Sequence, residues 1–119
     1  MRYPPIYCAL AARLSASAWA EAPAAMDGRL VDEHKMTLYV FDKDTAGKSA
    51  CEAACTAKWP PAYAGSYDKA SGDWSFVTRG DGKRQWAYKG RPLYRWSMDT
   101  RPGEAKGDGI NGVWHTAKP

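Results

Sequence analysis

The chain has 119 residues and a mass of 13.1 kDa, which allows one hydrophobic core and excludes two. Hydrophobic residues make up 45% and charged residues 25%, as in an ordinary globular protein rather than a disordered one. The formal charge of +4 comes from scattered basic residues, so no nucleic-acid-binding stripe is predicted. No run approaches the ~20 apolar residues that span a bilayer, so no transmembrane segment is predicted.

The N-terminal stretch, residues 1–25, has the features of an export signal. A basic residue follows Met1, residues 6–20 are mostly small and apolar, and the sequence Ala-Trp-Ala ending at Ala20 fits a small-x-small cleavage pattern. Cys8 lacks the preceding small residues of a bacterial lipoprotein cleavage site, so no lipid attachment is expected there. A signal peptide cleaved near Ala20 is therefore predicted, with a periplasmic or secreted mature chain. A disordered tail is the alternative.

After the tail, the pattern becomes strand-like. Residues 28–31 and 37–41 flank a polar turn and predict a hairpin. In the second strand, aromatic side chains alternate with aliphatic ones, so both faces are apolar and the strand is expected to be covered on both sides.

A short helix is predicted around residues 50–58. Ser49 and Glu52 stand at the spacing of a capping box, and the run that follows is rich in alanine. Pro60 and Pro61 end the helix because neither can donate a helical hydrogen bond.

The C-terminal half predicts a three-stranded meander over residues 74–78, 84–88 and 92–96. An Asp-Gly turn at 81–82 lies between two alternating runs, which is among the strongest hairpin signals. A last short strand at 112–116 is expected to close the sheet.

The two halves share a motif, Leu-Tyr-x-aromatic-x-x-Asp, at 38–44 and 93–99. Such repeats indicate related half-units that build one body. The predicted fold class is mainly β (β-rich α+β), with a small antiparallel sheet and one short helix. The predicted domain spans residues 26–119, with repeats at about 28–61 and 74–119. The residues given a structural role by this motif and its surroundings are Leu38, Tyr39, Phe41, Asp44, Leu93, Tyr94, Trp96, Asp99, Trp59 and Trp114.

These residues resemble a known bacterial family. The double motif, Cys-x-x-x-Cys at 51–55 and Trp-Pro-Pro at 59–61 are similar to secreted-repeat proteins of unknown function, also described as predicted lipoproteins with a Tyr-x-(Phe/Trp/Tyr)-x-x-Asp motif. The likeness runs from about Gly28 to Pro119 and includes the closing Gly-x-Trp-His that begins at Gly112. It implies an exported, lipoprotein-like protein of repeat architecture, and it implies no activity.

The cysteines are the most chemical feature of the sequence. With Cys8 in the signal segment, two cysteines remain in a chain expected to enter an oxidising compartment. Residues i and i+4 of a helix lie ~6 Å apart between Cα atoms, which is inside the disulfide range. A disulfide between Cys51 and Cys55 is predicted, with the helix distorted or ended around it. The alternative is a redox or copper-handling protein, since thiolates bind Cu(I) and the imidazole of His34 or His115 can complete the ligand set.

The aspartates that end the motifs, Asp44 and Asp99, are expected to accept backbone N–H bonds after their strands. Calcium is not expected, because alanine stands at positions 46 and 53, where an EF-hand loop needs oxygen ligands. No metal or cofactor is predicted.

The aromatic residues support a second alternative, a glycan-binding module. Strand aromatics at this period more often form the core of a small sheet. The candidate ligand surface is Trp86, Tyr88 and His115, within a wider aromatic set of Tyr39, Tyr94, Trp96 and Trp114.

Catalysis is not expected, and no catalytic residue is assigned. No Ser or Cys stands in a recognisable nucleophile motif with a His and an orienting acid. The predicted function is a non-catalytic binding or structural module of the periplasm or cell envelope, with its partner unknown. The two motif copies differ at Val40 against Arg95, so the motif itself is interpreted as a folding unit.

Overall fold

The computed structural model describes residues 22–119. Residues 1–21 of the predicted signal segment, including the cleavage site near Ala20, lie outside the described residues. Among the residues that are described, no helix combines the length and the apolar character needed to cross a membrane.

Short strands dominate the described part of the chain, and the mainly β prediction is confirmed. All strand pairs are antiparallel. In chain order the elements are β1 (Ala24–Met26), β2 (Arg29–Val31), β3 (Tyr39–Phe41), α1 (Cys55–Lys58), β4 (Trp74–Thr78), β5 (Arg84–Tyr88), β6 (Arg91–Pro92), a 3-10 turn (Ile110–Gly112) and β7 (Trp114–Thr116).

The strands form three small sheets rather than the single sheet expected: β1–β2, β3–β7 and β4–β5–β6. The hairpin predicted after residue 28 keeps its turn, with a bridge between Val31 and Thr37, but β3 then pairs with β7. Its other edge meets Tyr94. Ala24 and Ala25, which the sequence places in the tail, belong to β1.

The helix begins later than predicted. Only Cys55–Lys58 is helical, and Ala53 has a φ of 49°, a left-handed conformation that no helix continues through. The capping box does not form, because the Ser49 hydroxyl contacts Tyr94 Oη at 2.5 Å and accepts from the Cys51 N–H. The Ser49 side chain, which the local pattern predicted as a helix cap, is therefore hydrogen-bonded to the distant residue Tyr94 instead.

The meander forms as predicted over β4 and β5, with Trp74 opposite Tyr88 and a turn closed by Arg79 N–H to Lys83 O at 2.8 Å. Its third strand is shorter than predicted. After Pro92 the chain leaves the meander, and Tyr94 pairs with Tyr39 instead.

The strand β3 lies between two clusters of buried side chains, so both of its faces are covered. The aliphatic side of each motif faces one cluster, whose buried members are Leu30, Leu38, Val40, Ala62, Trp86, Leu93 and Ala117. The tyrosine side faces the other, whose buried members are Tyr39, Cys51, Trp59, Tyr94 and Trp114.

Candidate functional site

The two motifs meet at Tyr39 and Tyr94, which form a reciprocal pair of backbone hydrogen bonds of 2.8 and 2.9 Å. Two further backbone hydrogen bonds between the repeats join equivalent positions. The Ala62 N–H donates to Leu93 O at 2.9 Å, and the Ala117 N–H donates to Leu38 O at 2.8 Å. The repeats are therefore related by an approximate two-fold rotation about the tyrosine pair.

The tyrosine hydroxyls cross between the repeats. Tyr39 Oη donates to Asp99 Oδ2 at 2.6 Å, and Tyr94 Oη donates to Asp44 Oδ2 at 2.8 Å. Both tyrosines are 0% exposed. Burial raises the pKa of each tyrosine above its usual range, so both remain neutral donors. We call these four side chains the crossed tyrosine–aspartate pairs.

The second oxygen of each aspartate accepts a backbone N–H. Asp44 Oδ1 binds the Ala50 N–H at 2.6 Å, and Asp99 Oδ1 binds the Lys106 N–H at 2.9 Å. Burial also raises the pKa of Asp44. The backbone N–H donors to both aspartates were predicted, but the tyrosine donor from the opposite repeat was not, because equal spacing in two repeats does not show which copies pair.

The equivalent tryptophans stack on each other across the same axis. The ring centroids of Trp59 and Trp114 are 3.8 Å apart, and the ring planes are 3° from parallel. Phe41 also stacks on Trp114, with the ring centroids 4.1 Å apart. Tyr39 and Tyr94 contact Trp59 and Trp114 edge-on. These buried rings form core and are not available as a glycan platform.

A buried polar cluster links the first repeat to the meander. Arg79 donates from Nη1 to Gln85 Oε1 at 2.8 Å and Ser49 Oγ at 3.0 Å, and from Nη2 to Cys51 O at 2.6 Å. Glu52 lies 3.6 Å from the same guanidinium. Neither Arg79 nor Gln85 was predicted as a site residue, because a lone charge beside an Asp-Gly turn gives little sign that it is buried.

Cys51 and Cys55 are joined by a disulfide, with Cα atoms 5.3 Å apart, and Cys51 is fully buried. The bridge spans the start of α1 and fixes the loop whose carbonyl binds Arg79. A thiolate copper site requires unbonded sulfurs. His115 contacts Asp42 at 2.8 Å, and in residues 22–119 no group of three His, Cys, Asp or Glu side chains is arranged to hold a metal. The redox or copper alternative gains no support.

The residues of the predicted ligand surface differ in burial and in their contacts. Trp86 is 4% exposed and packs between Trp74 and Phe76. Tyr88 is half-buried against the same cluster, while His115 lies on β7 and is paired with Asp42. Trp86 also lines a cavity beside Arg95, and Tyr88 lines a second cavity beside Val40.

An open cavity of about 260 Å³ lies beside Arg95, between the turn after β2 and the Pro60-Pro61 segment. We call it the Arg95 cavity; its wall includes Asp32, Pro60, Pro61, Tyr63, Arg95 and Trp96. In the first repeat Val40 replaces the arginine and lines a smaller cavity of about 110 Å³.

The guanidinium of Arg95 is hydrogen-bonded to Asp32, but not all of its N–H groups have an acceptor among the described residues. Its Nη1 donates to Asp32 Oδ2 at 2.8 Å. Asp32 is fixed in turn by the N–H groups of His34 and Met36, at 2.9 and 3.0 Å from Oδ1. The Nε of Arg95 is buried, and none of the described residues accepts a hydrogen bond from it.

Fold and site together define a small two-repeat β protein whose halves interlock through crossed tyrosine–aspartate pairs. A family model described as a secreted repeat of unknown function matches residues 24–63 and again residues 75–118. The chain belongs to this secreted-repeat family, and the predicted family resemblance is confirmed. Searches of curated proteins and of solved structures returned no match.

Proposed function

We propose that the chain is a non-catalytic, exported binding module of the cell envelope and that the Arg95 cavity is its ligand site. The observation that carries the proposal is the Arg95–Asp32 ion pair in the cavity wall, where the Arg95 side chain is 25% exposed and donates from Nη1 to Asp32. A guanidinium has five N–H donors, so its exposed part can bind a ligand acceptor. The secreted description of the family supports export.

The non-catalytic part of the proposal is supported by how the motif side chains are used. The hydroxyls of Tyr39 and Tyr94 are bonded to aspartates and buried, and their raised pKa keeps them protonated at neutral pH. General bases need a pKa near the working pH. The repeated motif therefore serves folding, and binding is left to the surface where the repeats differ.

Co-sedimentation with isolated bacterial cell-envelope fragments tests this proposal. The wild-type chain is expected to pellet with the fragments, and Arg95→Met, which keeps the side-chain length but removes the guanidinium, is expected to stay in the supernatant. Lys43→Met, which also replaces a basic side chain but at an exposed residue outside the cavity wall, is the matched control and is expected to pellet like wild type. Failure of wild type to pellet, or equal pelleting of a folded Arg95→Met variant, contradicts the proposal.

A further inference from the structure

The charges at the Arg95 cavity argue against an anionic ligand. Two carboxylates, Asp32 and Glu33, and one guanidinium, Arg95, line the cavity, which gives a formal charge of −1. The guanidinium already has its counter-ion in Asp32 at 2.8 Å. A free carboxylate or phosphate would meet a site whose positive charge is neutralised, and like charges at short range disfavour binding.

The hydrogen-bonding groups that remain suit hydroxyls. The Arg95 guanidinium has five N–H donors on a side chain that is 25% exposed, and Asp32 accepts three protein hydrogen bonds, while a carboxylate has about four acceptor sites. A donor and an acceptor thus lie on adjoining side chains. A hydroxyl both accepts and donates, so neighbouring hydroxyls can satisfy both groups at once.

The remaining wall is hydrocarbon and aromatic. The Tyr63 ring is 46% exposed at the rim, Trp96 is half-buried, and Pro60 and Pro61 add C–H surface. Tyr and Trp offer a large apolar face together with a polar edge, which matches a ring that has C–H groups on one face and hydroxyls at its edge. The volume of about 260 Å³ lies just below the ~300–1,000 Å³ of drug-sized pockets, so one small ring fits.

We propose that the Arg95 cavity binds one uncharged sugar residue of a glycan, with two neighbouring hydroxyls bridging the exposed part of the Arg95 guanidinium and Asp32 and the sugar's C–H face against Tyr63. This assignment rests on the proposed binding function and names its ligand class. It places the glycan-binding alternative at a cavity that includes Trp86 of the predicted surface but not Tyr88 or His115, and where polar groups and the exposed residue Tyr63 occur together.

Nuclear magnetic resonance titration of the full chain tests the assignment. The probes are cellobiose and N,N′-diacetylchitobiose as neutral disaccharides, digalacturonic acid as an anionic one and deacetylated chitobiose as a cationic one. The neutral probes are expected to shift the Arg95 Nε–H and Trp96 indole N–H signals saturably. Digalacturonic acid is expected to bind at least ten times more weakly than the better neutral probe.

Two variants give independent support. Arg95→Lys keeps the charge but removes the planar guanidinium with its five donors, and Tyr63→Ala removes an exposed residue without opening the core. Each is expected to weaken neutral binding roughly tenfold, equal to about 1.4 kcal/mol, while Lys43→Met, at an exposed residue outside the cavity wall, leaves it unchanged. Because Tyr63 is exposed, its variant remains informative if Arg95→Lys folds poorly.

Tighter binding of either charged probe than of both neutral ones, or saturable binding of neutral probes that both variants leave unchanged, overturns the sugar assignment. If no neutral probe binds while envelope pelleting still depends on Arg95, the sugar assignment is wrong but the proposed binding function is supported. If both experiments are negative, both proposals fall.

Discussion

Tyr39 and Tyr94 join the two repeats at the scale of single residues. Each hydroxyl donates to the aspartate of the other repeat, at 2.6 Å to Asp99 and 2.8 Å to Asp44, and each ring is buried. Because a buried polar group left without its partner costs more than a typical hydrogen bond contributes, the two members of each pair depend on each other. The shared motif is thus an interlock between repeats rather than two copies of a ligand site.

Replacing Tyr39 with Phe is expected to lower the free energy of unfolding by about 1–3 kcal/mol, because Asp99 Oδ2 loses its donor and the Gly107 N–H loses its acceptor. Urea denaturation measures this change. Tyr67→Phe is the matched control and is expected to be neutral, since that residue is 88% exposed. Equal stability of Tyr39→Phe and wild type would show that the crossed hydrogen bond contributes nothing.

A second single residue, Glu104, is expected to make the stability of the protein depend on pH. The Thr100 N–H donates to its carboxylate at 2.6 Å and lowers the pKa of Glu104 from 4.5 to about 2. A lowered folded-state pKa means that the contribution to stability is complete above about pH 4.5 and is lost as the pH falls toward 2. The difference in urea midpoint between wild type and Glu104→Gln is expected to shrink across that window. A difference that is constant from pH 6 to pH 2 would refute this role.

At the scale of elements, the loops that follow the two motifs differ in structure. The first contains the disulfide and then α1, and the second places Gly107 against Trp59 and Trp96. A Cβ added at Gly107 would lie 2.7 Å from a Trp59 ring carbon. The glycine therefore allows the loop to approach the stacked tryptophans closely.

Gly107→Ala is expected to destabilise the protein by about 1–3 kcal/mol, the usual cost of overpacking a core. Gly80→Ala is the matched control, since its added methyl meets nothing within 4 Å and no positive φ stands in its way. Thermal unfolding of both variants gives the comparison. A Gly107→Ala variant as stable as Gly80→Ala would mean that the tryptophan stack can shift without loss.

At the scale of the whole molecule, the sequence could predict the structural features that depend on residues close together in the chain. Alternation predicted that β3 is covered on both sides, and the Asp-Gly turn predicted the β4–β5 hairpin. The late start of α1 was missed because Ser49 is taken by Tyr94, 45 positions away. The crossed pairs and the Arg95–Asp32 pair join residues 50 to 63 positions apart, and no local pattern encodes such contacts.

The central structural claim is that the two repeats form one cooperative unit through the Tyr39–Tyr94 pair. Native-state amide hydrogen exchange measures it most directly, because it reports the opening free energy of each repeat separately. The amides of Leu38, which donates to Leu30 O within the first repeat, and Leu93, which donates to Trp86 O within the second, are expected to share one opening free energy, equal to that of global unfolding. A clearly lower value throughout one repeat, with the other still protected, would contradict the claim.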